Sequence, residues 1–432
     1  MKRYLIILGK GLEGAAPDRV SLDIADYLLK HGDDANIIAS SDIFCDKANL
    51  ISDNISGIKF LSKSFIHDNI FIKNKIDESD CLLIMNVPTI NVGILEIDSF
   101  LETIKYAHEH NKKIVFITCQ HKLSAIQDNF YYDPKYRCFF DYLDIVFNHS
   151  LNNDFCQKFI FANNIKLKKL ICRDINQNSV LHNLFGIPFD QLKKLYWKPF
   201  EEKKQKTIKF IGRAAKWKGP WLVRDLHTKY LRSQNYITTI EGITINTKSF
   251  VISPETILQI YTDETKNNLR DDVLYIDEQS NRIALNEFNA GTYVFKQNMP
   301  VYIFPAYKHE LAMKRMGETQ FSIEFIDIAK YFMRDLIDTA MLEGVAVGTI
   351  PIYRKQWAEE FVLNGKTLYD QQNDCGTIFV DDNDPKSAIE LMNKLSEDNV
   401  LYDMMRNKAF DFYKTYFDSD VIFSQIINII NL

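Results

Sequence analysis

Short runs of unbroken apolar residues recur along this chain, and amphipathic stretches separate them. YLIIL (4–8), DANIIAS (34–40), CLLIMN (81–86), KIVFIT (113–118) and DIVFNHS (144–150) are strand-sized. A strand that is apolar at consecutive positions, not only at alternate ones, is covered on both faces. Between them, DRVSLDIADYLLKHG (18–32) sets Val20, Leu22, Ile24, Ala25, Leu28 and Leu29 at helical spacing and stops at Gly32. SFLETIKYAHEHN (99–111) reads as a second helix. This alternation predicts a parallel sheet with helices on both sides.

A second series begins near residue 207. TIKFIG (207–212), YITTIEGI (236–243), NMPVYIFP (298–305), DTAMLEGVAVGTIPIYR (338–354) and GTIFVDD (376–382) continue the pattern, with a helix over DPKSAIELMNKLSED (384–398). The charged, proline-containing stretch LKKLYWKPFEEKKQKTIKF between the two series has the texture of a linker. With 432 residues, each half has enough chain for its own core. The expected architecture is α/β: two Rossmann-like, doubly wound domains facing a central cleft, with ligands at the carboxyl ends of the strands. Residues 1–195 and 196–412 form the two domains in this reading. Residues 413–432 form a C-terminal helix packing back on the N-terminal domain. The polar segment 244–297 carries no assignment.

Composition narrows the function classes. A net charge of −5 argues against coating a polyanion with the whole surface but leaves room for a local basic face. The seven cysteines are scattered, without a CxxC pair or metal-ligand spacing, as expected of reduced thiols. The N-terminal apolar run, Tyr4 to Leu8, is cut short by Gly-Lys-Gly and reads as a buried strand, not a signal peptide. No apolar run approaches the ~18 residues of a membrane span.

Three stretches carry chemistry. In LGKGLEGAAPDRVS, Gly9, Gly11 and Gly14 sit between a strand and a helix. They permit either a ligand's close approach to the backbone or simply a tight turn. No acidic residue ends the following strand, so a dinucleotide fingerprint is incomplete. In FIGRAAKWKGPWLVRDLH (210–227), Arg213 and Lys218 flank a glycine-bearing loop that opens a helix. Arg clamps two phosphate oxygens and Lys supplies a point charge, which suits a phosphate; a solvated basic loop is the plainer reading. In DTAMLEGVAVGTIPIY, Asp338 is placed to cap a short helix. Glu343, a carboxylate among small apolar residues, needs a partner or a polar ligand such as a sugar hydroxyl.

The order of these elements is that of a two-domain nucleotide-sugar glycosyltransferase of the GT-B fold. GLEGAAPDRVSLDIADYLLKHG, NVP (86–88), QH (120–121), FNHSLNNDF (147–155), IGRAAKWKG (211–219), MLEGVAVGTIPIY (341–353) and LSEDNVLYDMMRNKAFDFY (395–413) resemble the DNA α-glucosyltransferases of T-even bacteriophages. The resemblance is patchy, spans almost the whole chain and fades over 244–297. It implies an N-terminal acceptor (DNA) domain and a C-terminal donor domain. The implied reaction is retaining transfer of glucose from UDP-glucose onto 5-hydroxymethylcytosine in phage double-stranded DNA. The modification would protect that DNA from host nucleases, in the cytoplasm of the infected bacterium.

By the same resemblance, Arg213 and Lys218 match the pair that grips the donor diphosphate, and Glu343 matches the carboxylate that holds the ribose. Asp338 stands where the family has a Glu near the donor sugar. Glu13 and Gly14 fall in the loop facing donor and acceptor. The family's His-Asp-His run after the strand KIVFIT is here Cys119, Gln120 and His121, so a base for the acceptor hydroxyl passes to His121 or elsewhere. DNA-contacting candidates are Lys166, Lys168 and Lys169, and Lys193, Lys194, Lys198, Lys203 and Lys204 near the linker; ordinary solvated surface is the alternative. The chain is expected to act as a monomer, with no obligatory metal and no membrane. Other readings are transfer of a different UDP-sugar such as arabinose, glycosylation of a non-DNA acceptor, and a non-catalytic DNA-binding module.

Overall fold

The structure, a computed structural model, describes residues 1–9, 16–40, 59–88, 94–118, 134–148, 167–172, 183–211, 218–243, 273–276, 282–284, 292–295, 301–305, 309–326 and 337–432. The chain divides into two compact units, Met1–Pro188 with Tyr416–Leu432, and Phe189–Thr415. The stretch that reads as a linker is instead part of the second unit. Its charge conceals a helix, Phe189–Tyr196, that buries Phe189 and Leu192.

The first unit is built on seven parallel strands: β1 (Arg3–Leu8), β2 (Asp34–Ser40), β3 (Lys59–Lys63), β4 (Cys81–Asn86), β5 (Lys113–Thr118), β6 (Ile145–Asn148) and β7 (Leu170–Cys172). Their order is β3-β2-β1-β4-β5-β6-β7. The unbroken apolar runs are explained by two cores, one on each face of the sheet. Tyr4, Ile6 and Leu8 point into one, with Val20, Ile24 and Leu28 of α1 (Ala16–Lys30) and Ile422, Phe423 and Ile426 of the C-terminal helix Ser419–Asn431. Leu5 and Ile7 point into the other, with Ile72 and Ile76 of α2 (Asn69–Glu78) and Phe100 and Ile104 of α3 (Ile94–Glu109). The period of two along a strand makes this division automatic. The C-terminal helix is tied in by the Ile187 amide, which donates to Phe417 O (2.8 Å), and the Ser419 amide, which donates to Ile187 O (2.9 Å). Asp418 caps its first turn through the Asp420 amide (2.9 Å).

Gly9 ends β1 against the backbone of Val87 and Pro88, where a Cβ would collide with both. Its amide donates to Asn86 O (3.3 Å). The first glycine of the GxGxxG pattern and the NVP motif are thus two sides of one close crossing of backbones.

The second unit carries β8 (Lys204–Ile211), β9 (Ile237–Ile243), β10 (Val273–Ile276), β11 (Arg282–Ala284), β12 (Thr292–Phe295), β13 (Val301–Pro305), β14 (Thr319–Glu324) and β15 (Ile350–Arg354). With the last strand, Ile378–Val380, the order is β11-β10-β12-β13-β9-β8-β14-β15-(378–380). From β13 onward every pairing is parallel, while β10, β11 and β12 add an antiparallel edge. That edge uses part of the segment that sequence left unassigned. Chain order reverses between β8 and β14, the switch point at which doubly wound sheets bind ligands.

One face of this sheet is apolar: Ile208, Phe210, Phe321, Ile323, Ile350 and Ile352 pack with Val223, Leu226, Met392 and Tyr402. The opposite face of β14 is polar. There Gln320 Oε1 accepts from the Lys206 amide (2.7 Å) and Ser322 Oγ accepts from the Thr349 hydroxyl (2.9 Å). The short helix Thr339–Ala346 lies on this row, close enough that a Cβ on Gly344 would sit 3.1 Å from Ser322 Cβ. Among the described residues no helix is long and apolar enough to cross a membrane.

Candidate functional site

Of the residues that suggest phosphate and sugar chemistry, Lys218 and Asp338 meet at the carboxyl ends of β8 and β14, and Glu343 lies in the helix that Asp338 caps. Arg213 lies outside the described residues, as do Glu13, Gly14, His121 and Lys166. Lys218 and Gly219 follow β8 and lead into the helix Pro220–Leu226, whose first residue is the proline a helix tolerates best at that position. Gly219 has φ +63° and presses on the Phe325 carbonyl, one residue beyond β14. That contact holds Lys218 over the end of β14.

Lys218 Nζ forms an ion pair with Asp338 Oδ2, both side chains being 17% exposed. Asp338 also caps Thr339–Ala346, accepting from the Ala340 amide at 3.4 Å. The capping role expected from sequence therefore coexists in one carboxylate with an ion pair that the sequence did not suggest. Glu343, five residues on, is buried, and His309 Nε2 donates to its Oε1 across 2.9 Å. His309 opens the helix His309–Gly317 and gives no signal in sequence, being a lone histidine in AYKHELAMKRMG.

Glu324 was also missed. It ends β14 buried, 4% exposed, with Oε2 lacking any hydrogen-bond partner. Burial pushes its carboxyl up to about 7, against the opposing pull of the Lys218 charge. Next to it, Arg354 at the end of β15 donates from Nη1 to Ile326 O (2.9 Å) and pairs with Asp382.

The basic candidates divide by environment. Lys168 pairs with Asp144 (2.6 Å), Lys198 with Glu202 (3.0 Å) and Lys204 with Glu318 (2.9 Å). Lys193 lies over the rings of Trp197 (4.5 Å) and Phe410 (4.1 Å). Lys203 is buried, donating to Gly317 O (2.8 Å) and Thr319 O (3.0 Å), so its ammonium does not face a surface that could meet DNA. Lys169 and Lys194 are exposed.

Comparison with known proteins fits this arrangement. The chain is 24% identical to the DNA alpha-glucosyltransferase of Enterobacteria phage T4 over 434 residues, 99% of each chain. A solved alpha-glucosyltransferase in complex with UDP superposes with a TM-score of 0.79 at 21% identity over 100% of both chains. A second, in complex with UDP-glucose and DNA containing an abasic site, gives the same TM-score, identity and coverage. The fold is thus the GT-B architecture that the order of the motifs suggests, on the two α/β sheets expected from the strand pattern. The sequence model of the DNA alpha-glucosyltransferases matches residues 16–400, which include every described site residue above, and the chain belongs to that family.

Proposed function

We propose that the chain transfers glucose from UDP-glucose, with retention, onto the hydroxymethyl group of 5-hydroxymethylcytosine in double-stranded DNA. The observation that carries this reading is the gathering of Lys218, Asp338 and the His309–Glu343 pair at one end of the second sheet, in a chain of this family. Relatives of the same fold hold UDP-glucose with DNA, or UDP with a 13-mer DNA containing a HMU base.

In this reading Arg213 and Lys218 balance the charge that grows on the leaving diphosphate, the task a divalent metal performs in other transferases. Glu343 accepts hydrogen bonds from the ribose, and Asp338 exchanges Lys218 for the donor sugar's hydroxyls. The bond from the anomeric carbon to the phosphate oxygen breaks, and a bond to the hydroxymethyl oxygen forms on the same face. The hydroxyl proton leaves to that phosphate oxygen or to His121. The target base must leave the duplex stack, at a cost of a few kcal/mol. The reaction takes place in the cytoplasm of the infected host and shields phage DNA from nucleases.

The decisive experiment offers labelled UDP-glucose with duplexes that contain or lack hydroxymethylcytosine, followed by mass spectrometry of the nucleosides. Label on hydroxymethylcytosine alone supports the proposal. Preference for another UDP-sugar, or hydrolysis without DNA labelling, overturns it in favour of the alternative donor or acceptor.

Two further outcomes are expected. His309→Leu removes a charge-assisted hydrogen bond from a buried carboxylate, so KM for UDP-glucose rises by about tenfold or more. His309→Gln, whose amide can still donate, retains most of the affinity; steady-state kinetics of the two variants checks this. On an acidic chain, DNA binding through exposed lysines such as Lys169 and Lys194 depends on counterion release. The duplex Kd therefore rises about tenfold or more between roughly 50 and 200 mM salt, which a fluorescence-anisotropy titration measures.

A further inference from the structure

The roles above leave the buried carboxylate of Glu324 unused. Glu324 stands at the carboxyl end of β14, beside the switch point, on the polar row that also holds Gln320 and Ser322. Its side chain is enclosed and Oε2 has no hydrogen-bond partner, an arrangement that penalises a carboxylate and favours a neutral acid. Gly219, pressed against the Phe325 carbonyl, brings Lys218 to the same end of the strand. We propose that Glu324 belongs to the donor site as its proton acceptor, and that docking of a sugar-nucleotide diphosphate on Lys218 drives one proton from solvent onto the Glu324 carboxylate. The inference rests on the diphosphate role given to Lys218 above.

The charged and titratable groups near this end of the sheet decide the sign; they include Lys209 of β8, buried and in register with Ser322, and so on the same face as Glu324. Lys218, from the loop after β8, draws its acidity toward the ionised form. Asp338, from the helix Thr339–Ala346, already divides that cation's attention by pairing with it. Tyr353 lies beside it on β15, paired in register, and burial holds its phenol neutral, well above its usual range. Arg354 engages Asp382 and the Ile326 carbonyl. With the donor absent, the carboxyl titrates at about 7, so at pH 8 it is mostly ionised. A diphosphate on Lys218 then adds negative charge nearby and occupies the cation that had favoured ionisation. Both effects raise the carboxyl's proton affinity, so binding takes up a proton from solvent. Below about pH 6 the group is already protonated and binding needs no proton.

UDP-glucose is the probe, because its diphosphate has no group titrating near neutrality. Calorimetry without DNA, in buffers of different ionisation enthalpy at pH 8, is expected to show uptake of more than about half a proton per donor bound. The wild-type Kd rises with pH above 7, by up to about tenfold per unit. In Glu324→Gln the uptake disappears and Kd stays flat from pH 6 to 8.5. Infrared difference spectra of the wild type show a carboxylate band replaced by a protonated carboxyl band, a readout that needs no variant. Donor binding without proton uptake or carboxyl protonation in the wild type overturns the inference. So does uptake that persists in Glu324→Gln, which would move the proton to another group such as the His309–Glu343 pair. Absence of any UDP-glucose binding instead overturns the donor-site reading itself, a separate failure.

Discussion

Replacing Lys218 with methionine is expected to lower kcat/KM for glucose transfer by about 100- to 1000-fold, with the fold intact. A preorganised donor or cation aimed at developing charge contributes about 3–4 kcal/mol to catalysis. Charge on the departing diphosphate grows as the glycosidic bond stretches, so the loss falls on kcat as well as on KM. The side-chain environment explains why folding survives. Methionine keeps most of the lysine stem, and Lys218 is 17% exposed, so little apolar surface is lost. Asp338 keeps its cap on the Ala340 amide and its own partial exposure to water. Glu324 loses a cation that pulls it toward ionisation, so it holds its proton more firmly and no new buried charge appears. Steady-state kinetics with saturating duplex DNA, alongside a thermal melt, separates the possibilities. An unchanged kcat with a small rise in KM would mean that Lys218 serves only as the counter-ion of Asp338.

Much of the scaffold around this lysine is legible from sequence, and the exceptions share a cause. CLLIMN and KIVFIT form strands over the expected residues, because strands buried on both faces need unbroken apolar runs. Asp338 caps the short helix that holds Glu343, as its place ahead of TAMLEG suggests. β14 escaped notice although it is buried along its entire length. TQFSIE alternates, a pattern that suits a strand with one solvated face, whereas Ser322 in fact lies under the helix Thr339–Ala346. Gln320 Oε1 and Ser322 Oγ are satisfied there by the Lys206 amide and the Thr349 hydroxyl, partners more than 25 residues away, while Gln320 Nε2 stays buried without a partner. Glu324 went unseen with its strand. His309 was invisible for a related reason: its meaning comes from Glu343, 34 residues later. Charge runs mislead in the same way. Lys203 and Lys204 are neighbours in sequence, but one is buried on backbone carbonyls and the other pairs with Glu318.

The loop that presents Lys218 has little freedom to adjust, and Gly219→Ala is expected to show it. Gly219 and Gly32 both adopt left-handed backbone, at φ +63° and +82°. An alanine in that region costs on the order of 1 kcal/mol from backbone sterics alone. At Gly32, just beyond α1, an added Cβ meets nothing within 4 Å, so Gly32→Ala should cost only that amount and leave donor binding unchanged. At Gly219 the same Cβ runs into the carbonyl of Phe325, which is backbone and cannot rotate aside. Either the loop lifts away from the end of β14 or the strand end shifts. Both movements break the placement of Lys218 beside Asp338 and Glu324. The expected result is a loss of several kcal/mol of stability and a rise of at least about tenfold in the UDP-glucose Kd. Thermal melts and calorimetry on the two alanine variants, measured side by side, hold the backbone strain constant and vary only the neighbour. Equal behaviour of the two would mean that the close contact with Phe325 does not position the lysine.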